Sequence, residues 1–488
     1  MKYELTVGLE THIELSTKSK MFCSCSTQFA GAPNTQCCPV CLGLPGALPV
    51  MNRQAVEFAV MAGLALNCKV ANISYMDRKN YSYPDLPKAF QISQYDVPLC
   101  AGGFLELSSG KKIRITRIHI EEDAGKLVHK ENEILIDYNR CGVPLIEIVT
   151  EPDFSSVSEV KEYVETLQHL MRYIGVSDCR MQEGSMRCDV NVSVRSKGAD
   201  TLGTRTEIKN MNSVANMVRA IEYEFTRQCE LLGKGEKVEQ ETLRYIEETG
   251  STASMRSKED AKDYRFFREP DLLSVCVSEE KIKVLREKLP ELPKDKIKRY
   301  TEKYLLSLTD ANHLIKYRKI SEFFDCAAEL SGCPKICANF IITQMFSLFA
   351  TEAQKEEFAV SITPLMLADL AKLLSEGRIN SNLAKTTLEQ MLTSGKSAQE
   401  ILSADDLKAL SDSELEALCQ KAVESNKTAV ADFTAGKEKA LMALVGFVMR
   451  ESRGKANAEK AKEKLRELLT GSSSGGVCLP SGKTEGVT

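Results

Sequence analysis

The sequence predicts an α+β protein, a domain built on antiparallel strands followed by a long run of helices. Three observations carry that expectation. Ahead of Leu289-Pro290-Glu291-Leu292-Pro293, short segments alternate apolar and polar residues, the period of a strand with one face buried. Beyond it nearly every segment has helical period. The strands and helices of the first part come in no regular βαβ order, which favours antiparallel pairing.

The first strand lies in VGLETHIEL. Leu5, Val7, Leu9, Ile13 and Leu15 point to one side, so Glu10, His12 and Glu14 point to the other, at roughly 7 Å intervals. A helix is expected from Asn52 to Leu66, with Val56, Ala59, Val60, Gly63 and Leu64 on one face and Asn52 as its polar start. LELSSGKKIRITRIHIEE reads as a hairpin whose turn is Ser-Ser-Gly. A second helix, Glu159 to Ile174, is apolar at Val160, Tyr163, Val164, Leu167 and Met171, and Ser156 with Glu159 three residues on predicts a capping box. In RCDVNVSVR, Arg187, Asp189, Asn191, Ser193 and Arg195 share one face, and Cys188, Val190, Val192 and Val194 share the other.

Composition narrows the function. At 488 residues with 43% hydrophobic content the chain can bury more than one core. Its formal net charge of -4 offers no global basic field, so a nucleic acid must be held by local patches or with another subunit's help. No apolar run approaches membrane-spanning length, and Met1-Lys2-Tyr3-Glu4 leads directly into strand pattern without a secretory or transit signal. A soluble, cytoplasmic protein is expected, whose 17 cysteines are thiols or metal ligands rather than a disulfide framework.

Carboxylates recur at strand ends beside apolar stretches. Glu121-Glu122-Asp123 ends the hairpin, Glu147 sits in PLIEIV, Glu183 precedes the strand of Arg187 and Asp189, and RTEIKN offers Arg205, Glu207 and Lys209 on one face. For one strand alone, a solvated sheet face would look the same. Acids interleaved with Lys and Arg on several strands are what a site for a hard cation and phosphates requires.

The cysteines ask for a softer metal. Cys23-x-Cys25, then Cys38-Pro-Val-Cys41, supply four thiolates, enough to close a tetrahedral structural zinc site. Cys37 is the expected spare, because CPxC makes the better knuckle. Cys333 and Cys337 have no second pair nearby, and His119, His129, His169 and His313 lack metal-ligand spacing and read as structural or surface residues. GGVCLPSGKT near the end fails as a P-loop, since Gly476 and Gly482 enclose five residues instead of four.

VGLETHIEL, RKNYSYPDLPKAFQISQYD, IHIEEDAGK, NRCGVPLIEIVTEPD, EGSMRCDVNVSVR, RTEIKNMNS and DYRFFREPDL, in this order, resemble the B-subunit family of tRNA-dependent amidotransferases. The likeness continues through EGRINSNLAK and DFTAGKEKALMALVGFVMRESRGKAN, with departures at Ser82, Phe266, Arg268, Leu273 and Ala458. It implies a catalytic cradle related to glutamine synthetase over 1–290, a helical domain over 291–402, a helical tRNA-binding tail over 403–470, and leaves 471–488 as a disordered C-terminus. It also implies a reaction. ATP phosphorylates the side-chain carboxylate of Glu on tRNA(Gln) or Asp on tRNA(Asn), and ammonia made by an amidase-type A subunit displaces the phosphate, with a small C subunit completing a heterotrimer.

By analogy with the family, Mg²⁺ falls on Glu10, Glu122 and Glu147, with His12 as a further ligand or phosphate donor. Of Glu121 and Glu122 only one can easily face the site, and the choice of Glu122 rests on the resemblance. Lys79, Arg187 and Lys209 are the expected phosphate contacts; Glu183 and Asp189 complete the acidic lining, Asp189 fixing Arg187. Tyr81 and Tyr83 suit stacking on the terminal adenosine of tRNA, or the core. Between Gly436 and Lys455 the cations Lys437, Lys439, Arg450, Arg453 and Lys455 outnumber Glu438 and Glu451 by three, on a helix with Leu441, Leu444, Val445 and Val448 on one face. With the resemblance, this surplus reads as a tRNA contact. Two other classes use part of this equipment: a carboxylate-amine ligase acting on a free small molecule, which needs no basic tail, and a non-catalytic zinc-bearing tRNA scaffold, which leaves the acids unexplained.

Overall fold

The computed structural model describes residues 2–257, 263–403, 412–452 and 456–471, and divides into two units, Met1–Pro293 and Lys294–Thr488. The P-loop-like stretch and the basic residues Arg453 and Lys455 lie outside the described residues.

The first unit carries every strand of the described residues. In chain order these are β1 (Tyr3–Glu14), β2 (Lys69–Val70), β3 (Ile73–Ser74), β4 (Asp77–Asn80), β5 (Phe90–Ser93), β6 (Cys100–Glu106), β7 (Lys112–Glu122), β8 (Lys126–His129) and β9 (Ile134–Asp137). There follow β10 (Pro144–Thr150), β11 (Met186–Ser196), β12 (Thr206–Lys209), β13 (Glu241–Ile246), β14 (Ser251–Ser257), β15 (Phe267–Arg268) and β16 (Val275–Cys276). Its helices are α1 (Arg53–Ala65), α2 (Val157–Tyr173), α3 (Val214–Gly233) and α4 (Glu279–Lys288).

Nine strands form one sheet in the order β14-β13-β12-β11-β1-β10-β7-β6-β2. Antiparallel pairing holds for every neighbouring pair but one, β12 and β13, which run parallel. The exception follows from the intervening chain: α3 lies between the two strands and supplies a crossover, which a parallel pair needs and a hairpin does not.

The sheet is two-faced because its strands are. Val7, Leu9 and Ile13 of β1, Ile118 and Ile120 of β7, Ile146 and Ile148 of β10, and Val190 and Val192 of β11 are buried in one core with residues of α1, α2 and α3. α2 contributes Val160, Tyr163, Val164, Leu167 and Met171, the stripe its 3.6-residue period dictates. The Ser156 hydroxyl accepts from the Glu159 N–H at 3.3 Å, but the reciprocal half of a capping box is absent: the Glu159 carboxylate accepts from Ser155 N–H and Lys111 instead. Lys111, at the β6–β7 turn, is the stronger partner because it is charged.

Where β6 passes the end of α1 the backbones come very close. A Cβ at Gly103 would lie 2.3 Å from Cys68 Sγ and 2.5 Å from the Leu66 carbonyl oxygen. A carbonyl cannot swing aside as a side chain can, so Gly103→Ala should destabilise the protein by roughly 1–3 kcal/mol. Urea unfolding checks this, and an unchanged midpoint would mean that the two segments are not so tightly apposed.

Among its described residues the second unit has helices and their connections and no strand. One core gathers Tyr300, Phe324, Ile341, Leu367, Leu370 and Leu388; another gathers Leu415, Cys419, Leu441, Leu444, Val445, Val448 and Leu465. Among the described residues no helix is long and apolar enough to cross a membrane.

Candidate functional site

With one face of the sheet committed to the core, alternation puts charged residues on the other. Cross-strand register then decides which of them meet. His12 of β1 stands opposite Glu147 of β10 and Arg187 of β11, and Glu147 stands opposite His119 of β7. His12 Nε2 lies 3.4 Å from Glu121 Oε1 and 3.4 Å from Glu147 Oε2. His119 Nε2 lies 3.2 Å from Glu147 Oε2 and 3.7 Å from Glu121 Oε2. One ligand atom each from His12, Glu121 and Glu147 all fall within 4.8 Å of one another.

Two residues of the expected ligand set, Glu122 and Glu10, lie outside this converging trio. Glu121, not Glu122, joins His12 and Glu147. In IHIEE the core isoleucines Ile118 and Ile120 put His119 and Glu121 on the polar face and Glu122 on the other. There Glu122 pairs with Lys88 and accepts from the Ile92 N–H at 3.0 Å. Glu10 shares the polar face but stays outside the converging trio, its carboxylate accepting from Asn191 Nδ2 at 2.9 Å.

His119 is not singled out by metal-ligand spacing, although the same alternation marks it. It is buried, and among the described residues its Nδ1 has no hydrogen-bond partner. Burial works to keep the imidazole neutral, yet the hydrogen bonds and charges of Glu121 and Glu147 outweigh it and push the His119 pKa up to about 9. His12 is raised in the same way, burial opposing and Glu147 and Glu121 prevailing. For Glu147, burial favours the protonated form, but hydrogen bonds from both histidines hold it well below the usual carboxylate range. Glu10 goes up, first through burial and then through the charge of Glu147.

The expected phosphate contacts are distributed as follows. Arg187 Nη2 donates to Asp123 Oδ2 at 2.8 Å, and Arg140 Nε lies 3.3 Å from the same oxygen. Asp189 therefore does not fix Arg187; it pairs with Lys209, which also reaches Glu207 at 3.0 Å. Adjacent strands β11 and β12 bring Lys209 to Asp189, a pairing that single-strand alternation cannot foretell. Lys79 lies 4.9 Å from the Tyr264 ring centroid and 5.8 Å from that of Tyr81, with no carboxylate in ion-pair range among the described residues. Glu183 departs from the acidic lining: it sits on the turn Met181–Glu183, ended by Gly184 at φ 82°, and pairs with Arg180 at 3.0 Å. Glu14 faces Asp123, and burial and then the Asp123 charge push its carboxyl up to about 8.

The cysteines form a second centre. Sulfurs of Cys23, Cys25, Cys38 and Cys41 lie within 4.8 Å of one another, while Cys37 turns to Asn139 Oδ1 at 3.9 Å. The Cys41 thiol is drawn down to about 4, chiefly by the hydrogen bond from Cys23 and, against burial, by the Cys38 N–H and Lys20. Four converging thiols with one already prone to ionise are the donor set a tetrahedral Zn²⁺ takes. The imidazole and two carboxylates of His12, Glu121 and Glu147 suit a harder ion that keeps water or phosphate oxygens in its remaining positions.

In the second unit, Lys437 pairs with Asp432 at 3.0 Å, Lys439 precedes the helix Ala440–Glu451, and Arg450 lies 5.5 Å from the Phe447 ring centroid. The acids counted against these cations have partners of their own, Glu438 with Arg466 and Glu451 with Lys421.

Comparison with known proteins adds the following. Residues 5–283 match the family model described as GatB/GatE catalytic domain, and residues 322–469 match the GatB domain. A protein of Ruminiclostridium cellulolyticum, named as the B subunit of an aspartyl/glutamyl-tRNA(Asn/Gln) amidotransferase, is 50% identical over 475 residues, covering 96% of this chain and 98% of its own length. The same name is carried by a Caldanaerobacter subterraneus protein, 50% identical over 96% of this chain and 100% of its own. A Thermodesulfovibrio yellowstonii protein of that name is 46% identical over the same shares.

Proposed function

Because the chain belongs to the GatB/GatE family, we propose that its polar sheet face activates the side-chain carboxylate of Asp on tRNA(Asn) or Glu on tRNA(Gln) for amidation. The chain is one component of a tRNA-dependent amidotransferase, a ligase of protein biosynthesis. The observation that carries the chemical reading is the convergence of His12, Glu121 and Glu147 on one face of the sheet.

A carboxylate does not react with ammonia, because its leaving group would be an oxide. An acyl phosphate does. A carboxylate oxygen attacks the γ-phosphorus of ATP and ADP leaves; ammonia then attacks the acyl carbon, phosphate departs with the C–O electron pair, and the surplus proton is lost to give the amide. Both steps crowd anions together, so the residues must offset charge. His12, Glu121 and Glu147 would hold Mg²⁺. When bound, that ion offsets charge on the transferring phosphoryl group. Arg187 and Lys209, clamped by Asp123, Asp189 and Glu207, are held in place as fixed positive groups, and Lys79 is the cation freest to meet a phosphate. A sheet covered on one side and polar on the other suits the glutamine synthetase-like cradle that the resemblance implies.

In this reading Cys23, Cys25, Cys38 and Cys41 hold a structural Zn²⁺, an amidase-type A subunit supplies ammonia, a small C subunit completes the assembly, and the tail with Lys437, Lys439 and Arg450 meets the tRNA body. Elemental analysis should find about one zinc per chain, lost in Cys41→Ser and kept in Cys37→Ser. The function itself is tested by reconstitution with the A and C subunits, ATP and either misacylated tRNA. Amidated tRNA and ADP should form together; amidation without ATP consumption would sink the phosphorylation step, and turnover of free glutamate alone would favour a small-molecule ligase.

A further inference from the structure

We propose that Lys20 balances the charge of the cysteine-bound metal, a buried ammonium set against the Cys41 sulfur that strengthens the site's hold on a divalent cation. The proposal rests on the zinc reading above. Four thiolates around a divalent cation leave two net negative charges, and at Cys41, the one buried member of the four, these must be met by cations or N–H dipoles. Groups that do so commonly govern metal affinity as strongly as some ligands.

Lys20 is 0% exposed, and lysine is almost never fully buried unless paired. Among the described residues no carboxylate lies within ion-pair distance of it. Its Nζ lies 3.7 Å from Cys41 Sγ and 3.2 Å from the Tyr138 carbonyl oxygen. Among the described residues the sulfur is thus the anionic partner within contact distance of this cation. Cys38 N–H donates to the same sulfur at 3.2 Å, so Cys41 collects positive poles from two directions. The placement is built in by the backbone: Lys20 N–H donates to the Cys25 carbonyl at 3.0 Å, closing the Cys23–Cys25 turn, while the side chain crosses to the Cys38–Cys41 turn. One residue therefore spans both halves of the cluster.

A purely structural lysine would only tie Tyr138 to the loop, and metal affinity separates the two roles. Full-length wild type, Lys20→Met and Lys20→Gln are loaded with Zn²⁺ and competed against a chromophoric chelator. Lys20→Gln keeps a donor for the Tyr138 carbonyl and drops the charge. Both variants should bind zinc roughly 10- to 100-fold more weakly, and Lys20→Arg should recover most of the loss. With Co²⁺ in place of zinc, the thiolate-to-metal charge-transfer band should move to lower energy in Lys20→Gln, because losing a nearby positive charge raises the sulfur donor orbitals. Zinc held by folded Lys20→Gln as tightly as by wild type, with the band unmoved, overturns the proposal even if Lys20→Met fails to fold. Wild-type protein that takes up no zinc overturns the zinc reading and the proposal with it.

Discussion

Glu121→Gln should cut ATP-dependent amidation of misacylated tRNA at least about a hundredfold while the protein melts near the wild-type temperature. The magnitude is what several kcal/mol of charge stabilisation amounts to. The substitution keeps the shape of the side chain and removes the charge that His12 and His119 share with Glu147. Metal affinity should fall with activity, which titration of Mg²⁺ against the amidation rate would register. Near wild-type turnover in this variant would remove Glu121 from the chemistry and return the choice to its neighbour.

That neighbour should behave in the opposite way. Lys88→Met leaves the Glu122 carboxylate, 3% exposed, without its cation, and should destabilise the protein by about 3–5 kcal/mol. Replacing both partners by apolar residues, Lys88→Met with Glu122→Leu, should recover most of it, since the penalty comes from the unpaired charge rather than from the missing bond. Urea unfolding of the two single variants and the double gives the coupling directly. A Lys88→Met protein as stable as wild type would mean that the Glu122 carboxylate does not depend on this pairing.

The contrast between Glu121 and Glu122 marks how far the sequence can be read. Alternation is a property of one strand, so the two faces of β1 and β11, and the helical stripes of α1 and α2, can be drawn from residue types alone. The same rule applied to IHIEE separates Glu121 from Glu122 and puts His119 beside the acids, but it competes with a family likeness that fixes motifs without fixing parity. What no single strand contains is its partner's register. The links Arg187 to Asp123 and Lys209 to Asp189 join β11 to the end of β7 and to β12, and both depend on how far each strand slides along its neighbours. Glu183 escapes the pattern for another reason: Gly184 breaks the extended run, so the residue before it belongs to a turn rather than to the strand.

The central position of β1 has a consequence for how the protein comes into being. β1 is flanked by β10 and β11, and its register with them joins Glu14 to Leu145 and Ile13 to Met186. During synthesis the strand that carries His12 leaves the ribosome with both edges open and stays so while more than a hundred residues are added. Its second edge closes only when β11 has emerged. Contacts this distant in the chain make folding slow, and a strand with one apolar face and open edges invites pairing with other chains meanwhile. Nascent chains arrested ahead of β10 should therefore recruit chaperones and resist native-like protection of β1 from proteolysis, and those arrested beyond β11 should acquire it.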